Sequence, residues 1–105
     1  MYIILNHSIL SKSQAAVACA HAALGFHLVA SDNSGNQAQY EDWLEKSFAK
    51  VILKMDFDAF LVLSRRQDVS PFVESTLNGS CVSVVIMSYE IPEDLIDIVN
   101  NLKLY

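Results

Sequence analysis

Glycine, proline and cysteine are scarce in this chain, with three, two and two of each among 105 residues. That composition excludes collagen-like, linker-like and disulfide-stapled architectures. Cys19 and Cys81 stand far apart, with no C-x-x-C and no histidine at metal-ligand spacing, so they read as small core residues in a reducing compartment. Basic residues are also few: seven Lys and Arg against twelve Asp and Glu give a net charge of −5. An acidic balance opposes loose, non-specific nucleic-acid binding, which depends on neutralising phosphates. It leaves room for a local patch, for which Lys12, Lys46, Lys50, Lys54, Arg65 and Arg66 are the candidates.

Long apolar runs are missing too. The longest uncharged stretch, Gln14 to Ser31, is rich in alanine and broken by His21 and His27, and its flanks carry no aromatic or basic belt. A membrane span is not expected from it. No basic segment precedes the strand-like Tyr2-Ile3-Ile4-Leu5, so no signal peptide is expected and the location implied is cytoplasmic.

Apolar material itself is plentiful. Hydrophobic residues make up 52% and charged residues 18%, enough for one packed domain spanning residues 1–105. Tyr2 to Asn6 reads as a central strand. Ser8 to Ser13 is a polar turn that caps a helix running from Gln14 to about Val29. Its alanines allow close approach to a sheet, Val17, Leu24 and Leu28 form one stripe, and Gly25 suggests a tight contact. Ser31 to Asn36 reads as a loop. A helix with Tyr40, Trp43 and Leu44 follows, with Trp43 as a packing anchor, and then a strand from Lys50 to Met55.

Asp56 is a good N-cap for a helix whose apolar stripe is Phe57, Phe60 and Leu61, with Arg65 and Arg66 in its last turn. Val69 to Val73 is a weak strand, and Asn78-Gly79 is a tight-turn signal before a strong strand from Cys81 to Met87. Pro92 opens a last helix bearing Leu95, Ile98, Val99 and Leu102. The expected fold is therefore α/β, with elements in the order β-α-α-β-α-β-β-α. A mixed four-stranded sheet should carry helices on both faces, with its first two strands parallel and its last two an antiparallel hairpin.

In such sheets ligands bind beyond the carboxyl end of a central strand. Here that is the turn holding His7, Ser8, Ser11, Lys12, Ser13 and Gln14. Its helix start offers N–H groups to an anion, with Lys12 beside them; equally, its serines do no more than cap the helix. His21, among alanines, is a base, an orienting group or a buried histidine. Phe57 and Phe60 are core residues, since a base-stacking platform needs exposed aromatics with basic neighbours. Nucleotide-binding glycine loops, nucleophile elbows and metal-ligand clusters are missing.

Leu10-Ser11-Lys12-Ser13-Gln14-Ala15-Ala16-Val17-Ala18-Cys19-Ala20-His21-Ala22 resembles the first-helix signature of the type II peptidyl-tRNA hydrolases, a G-K-G-K-like turn running into A-A-Q-x-x-H-A. Further segments follow in the same order. Trp43 precedes Ala49-Lys50-Val51-Ile52-Leu53, which looks like that family's second strand. Phe72 to Gly79 looks like an F-x-E-P-D-L hairpin, and Leu102-Lys103-Leu104-Tyr105 resembles the family's C-terminal end. Gln14 stands where the second lysine falls, Ala18 where a glutamine does, Thr76 where an aspartate does and Val82 where a threonine does. The resemblance implies a three-layer α/β/α fold, often dimeric, and hydrolysis of the ester between a peptide and a tRNA 3′ end. It implies no cofactor and no metal. It places Lys12, Gln14, His21 and Thr76 at the catalytic positions, and Ser11, Lys12, Ser13 and Glu74 around the ligand. The partners expected are tRNA or a nucleotide-like ligand and a second copy of the chain, with no membrane. The alternatives are a relative that binds an anionic ligand without turnover, or an interaction protein.

Overall fold

The computed structural model describes residues 1–32, 37–89 and 91–105. Among them, strand β1 (Tyr2–Asn6) leads through a single 3-10 turn (His7–Ile9) into helix α1 (Lys12–Asp32). Helix α2 (Gln37–Asp42) continues as a π-helical turn (Trp43–Ser47) before strand β2 (Val51–Met55) and helix α3 (Phe57–Ser64). Strand β3 (Ser70–Glu74), a 3-10 turn (Ser75–Leu77) and strand β4 (Ser80–Ile86) form the hairpin, and helix α4 (Glu93–Asn101) leads to strand β5 (Lys103–Leu104).

The result is an α/β fold with one mixed sheet in the order β3-β4-β1-β2-β5. Its five strands correct the expectation of four. Strand β5 pairs antiparallel with β2 through Leu53↔Leu104 and Lys54↔Lys103. Two residues carry no period from which a strand could be read, which is why the sequence shows only the end of a helix there. The expected parallel β1–β2 pair and antiparallel β3–β4 hairpin are both present. In the hairpin, Asn78 and Gly79 both adopt positive φ (56° and 70°), the conformation that suits an Asn-Gly turn.

Alternation along β1 separates two cores. Ile3 and Leu5 pack with Ala15, Ala18, Ala22 and Phe26 of α1 and with Tyr40 and Trp43. Ile4 packs on the opposite face with Leu53, Phe60, Leu63, Leu95 and Val99, so α3 and α4 cover that side. Each fully buried aliphatic side chain contributes about 1.5–3 kcal/mol. On β4 the alternation slips: Phe72 opposes Ser83 while Val73 opposes Cys81, leaving Val82 as an extra residue in a bulge. Val82 therefore joins the α1 core together with Val85 and Met87.

Helix α1 begins two residues earlier and ends later than expected, and it buries its alanines. Val17, Leu24 and Leu28 are 48%, 62% and 60% exposed, so this stripe faces away from the sheet. By length and composition the segment Lys12–Ala30 could cross a membrane, but here one side of it is packed against the sheet. Gly25 packs closely against β3: a Cβ there would lie 2.5 Å from Phe72 Cε1. Of the loop expected from Ser31 to Asn36, residues 33–36 lie outside the described residues, while Ser31 and Asp32 still belong to α1.

Trp43 anchors its helix as expected, buried, with Nε1 donating to the Ala49 carbonyl at 3.1 Å. Asp56 occupies the N-cap position of α3 without a side-chain cap bond. Ser8 takes that role from a distance, its Oγ accepting the Phe57 N–H at 3.2 Å. Pro92 is the N-cap of α4 rather than its first residue. Arg66 lies beyond the end of α3, bound to Asp68 and Asp94.

Candidate functional site

The turn after β1 is held shut by its own side chains. Ser11 Oγ accepts the Gln14 N–H at 3.2 Å, while Gln14 Oε1 accepts the Ser11 N–H at 2.8 Å. This reciprocal pair is a capping box, the glutamine standing three residues after the serine cap. Ser13 Oγ lies 3.3 Å from Ser11 Oγ. The serines do cap the helix, therefore, and Gln14 caps it with them. The cap uses only the oxygen of the Gln14 amide; among the described residues no hydrogen bond engages its nitrogen.

Below this cap, Ser13, Gln14, Val17 and Glu74 line a cavity of about 230 Å³. Gln14, Val17 and His21 recur at helical spacing on the edge of α1 nearest β3. Glu74, the last residue of β3, is buried. Its Oε2 lies 3.2 Å from His21 Nδ1, and the His21 side chain is 56% exposed. A carboxylate held inside and an imidazole held at the rim thus stand within ion-pair distance, although His21 Nδ1 and Glu74 Oε2 do not meet in the geometry of a hydrogen bond. Thr76 lies in the 3-10 turn just after Glu74, and its side chain is outside the described set.

Lys12 is not part of this cavity. It lines a second concavity of about 320 Å³ with Leu5, Ala15, Ala16, Cys19, Ile52 and Tyr105. The first turn of α1 thus divides the predicted residues into two groups. Ser13, Gln14, His21 and Glu74 gather on the β3 side, and Lys12 stands alone among them on the β2 side. Tyr105 reaches the concavity of Lys12 because it follows strand β5, an element the sequence did not signal.

Neither cysteine supplies a nucleophile. Burial pushes the Cys19 thiol up, and it pushes the Cys81 thiol up against the opposing pull of its backbone contacts. Both stay protonated at neutral pH, and a protonated thiol is a poor nucleophile. Among the described residues no group of three His, Cys, Asp or Glu side chains could hold a metal ion. At the end of β1, Asn6 is buried and its Nδ2 donates to the Cys81 carbonyl at 3.4 Å, tying this edge of the site to the start of β4. His27 is exposed, with Nδ1 2.9 Å from the Tyr40 hydroxyl.

Compared with known proteins, the chain matches no family model, no curated protein and no solved structure.

Proposed function

We propose that this protein hydrolyses the ester between a peptide and the 3′-terminal ribose of tRNA, acting through the cavity between Gln14 and Glu74. The observation that carries the reading is the 3.2 Å contact of His21 Nδ1 with Glu74 Oε2 beside that cavity. Glu74 and His21 are distant in sequence, and the resemblance to type II peptidyl-tRNA hydrolases places His21 at a catalytic position and Glu74 beside the ligand.

Ester hydrolysis needs a base for the attacking water and a donor for the carbonyl oxygen. The Glu74 carboxylate, in ion-pair range of Nδ1, stabilises the imidazolium that forms when Nε2 takes a proton from water as the oxygen adds to the carbonyl carbon. The Gln14 amide nitrogen donates to the resulting oxyanion, while its oxygen stays locked in the helix cap. Collapse of the tetrahedral intermediate breaks the bond to the ribose oxygen, which receives the proton from His21. The peptide leaves as a carboxylic acid and the tRNA as a free hydroxyl. Supporting this assignment, Gln14 lines the cavity, and its amide nitrogen makes no hydrogen bond among the described residues. The test is release of labelled peptide from a peptidyl-tRNA, compared between the native chain and Glu74→Gln.

A further inference from the structure

A separate cavity of about 310 Å³ lies farther along α1, between that helix and the turn that follows α2. Leu24 stands on one side of it, and Tyr40, Trp43, Leu44 and Phe48 stand on the other. Ala23 carries too little bulk to fill the space between them.

The aromatic wall is continuous. Tyr40 stacks on Trp43 with centroids 5.6 Å apart, and the Phe48 ring lies 5.5 Å beyond Trp43, tilted by 44°. Tyr40 and Trp43 are buried, whereas Phe48 is 57% exposed and forms the lip.

The backbone at this lip is strained. Trp43–Ser47 winds as a π-helical turn, with the Phe48 N–H donating to the Trp43 carbonyl at 2.7 Å. Phe48 itself takes a φ of 52°, in the left-handed region that a bulky side chain rarely enters. Burial of the ring does not offset that cost, because Phe48 stays largely in solvent. Strained residues and π turns gather where ligands are held.

Charge at the mouth has one sign. Lys50 Nζ lies 3.3 Å from the Phe48 ring centroid and 5.3 Å from that of Trp43. It donates to the Phe48 carbonyl at 3.2 Å and makes no ion pair among the described residues. Among the described residues, no carboxylate lines the cavity.

We propose that this cavity binds a small aryl carboxylate, its ring against Trp43 and Phe48 and its carboxylate on Lys50. Cavities that hold small molecules start at about 300 Å³ and combine apolar walls with a few polar groups. A volume near that floor suits one ring on a short chain and is too small for a nucleotide. A cationic ligand would meet the Lys50 ammonium with no acid to offset it. A neutral arene would leave the ammonium unused.

Trp43 is the chain's one tryptophan, so its fluorescence reports on the cavity directly. The test is a titration of the full chain with phenylacetate, exciting only the indole. Phenylacetamide, phenethylamine and acetate are the comparison ligands. Phenylacetate should give a saturable change and bind about fivefold tighter than phenylacetamide, the strength of an exposed ion pair. Phenethylamine and acetate should leave the emission unchanged. Lys50→Gln should abolish the preference for the acid over the amide. Phe48→Gly suits the positive φ and so keeps the fold, yet it should weaken phenylacetate binding about tenfold. Circular dichroism confirms that both variants are folded. Three results would each overturn the proposal: no saturable change with phenylacetate, equal affinity for phenylacetamide, or undiminished affinity for phenylacetate in either variant. Gln14 and Glu74 lie outside this cavity, so a failure of ester hydrolysis has no bearing on the outcome.

Discussion

His21 Nδ1 lies 3.2 Å from Glu74 Oε2, joining an exposed ring on the first helix to a buried carboxylate at the end of the third strand. Groups that act as a unit lose their effect together. Glu74→Gln and His21→Gln should each lower the rate of peptide release by about 10²–10⁴-fold. The double variant should be no slower than the worse of the two. Multiplying penalties, measured as single-turnover rates, would show that the two residues work separately.

Gln14 has two roles that one substitution separates. Glutamate at this position keeps an oxygen for the Ser11 N–H but has no amide donor. Gln14→Glu should therefore change stability by less than about 0.5 kcal/mol while lowering the rate by about 10²–10³-fold. Ser11→Ala should do the reverse, costing about 1 kcal/mol in stability. Urea denaturation and the release assay on the same samples check both outcomes.

Gly25 allows the first helix to press onto Phe72, and the contact sets the sign of a mutation there. With Phe72 in place, Gly25→Ala should destabilise by about 1–3 kcal/mol through overpacking. In a Phe72→Ala background the same change should stabilise by up to about 1 kcal/mol, since only the helix preference remains. A double-mutant cycle by chemical denaturation measures this. Equal effects in both backgrounds would contradict the packing.

Arg66 holds the carboxyls of Asp68 and Asp94 below their ordinary range, chiefly by hydrogen bonds, with slight burial opposing. The native values are lowered, so this contribution to stability is present at neutral pH and is lost as pH falls through the native values. Arg66→Met should raise both carboxyl midpoints and flatten the acid limb of stability below about pH 4. Carboxyl titration by NMR reads the midpoints directly. All three groups sit at the surface, so the change in total stability should be small.

Much of this architecture could be read from periodicity. Tyr2 to Asn6, the Asn78-Gly79 turn and the alanines of the first helix each signal their element by local chemistry, and the structure places them as that chemistry requires. The direction of Val17, Leu24 and Leu28 was not legible in this way. Alanines at 15, 18 and 22 bring the helix closer to the sheet than larger residues would, so the small stripe is buried and the large one is turned outward. Ser8 capping a helix that begins at Phe57, and Lys103 lying against Lys54, both depend on contacts between remote segments. Local sequence carries no signal for such contacts. At the candidate site, the serines of the polar turn signalled a helix cap and the resemblance singled out Glu74; the part of Gln14 in that cap and the separation of Lys12 from Gln14 emerged only from the fold.

Single-turnover release of labelled peptide from peptidyl-tRNA, with enzyme in excess, tests the hydrolase reading most directly. The native chain should release peptide well above the spontaneous rate, and Glu74→Gln, still folded, should fall at least a hundredfold below it. Release no faster than the blank, or a Glu74→Gln variant as fast as the native chain, would contradict it.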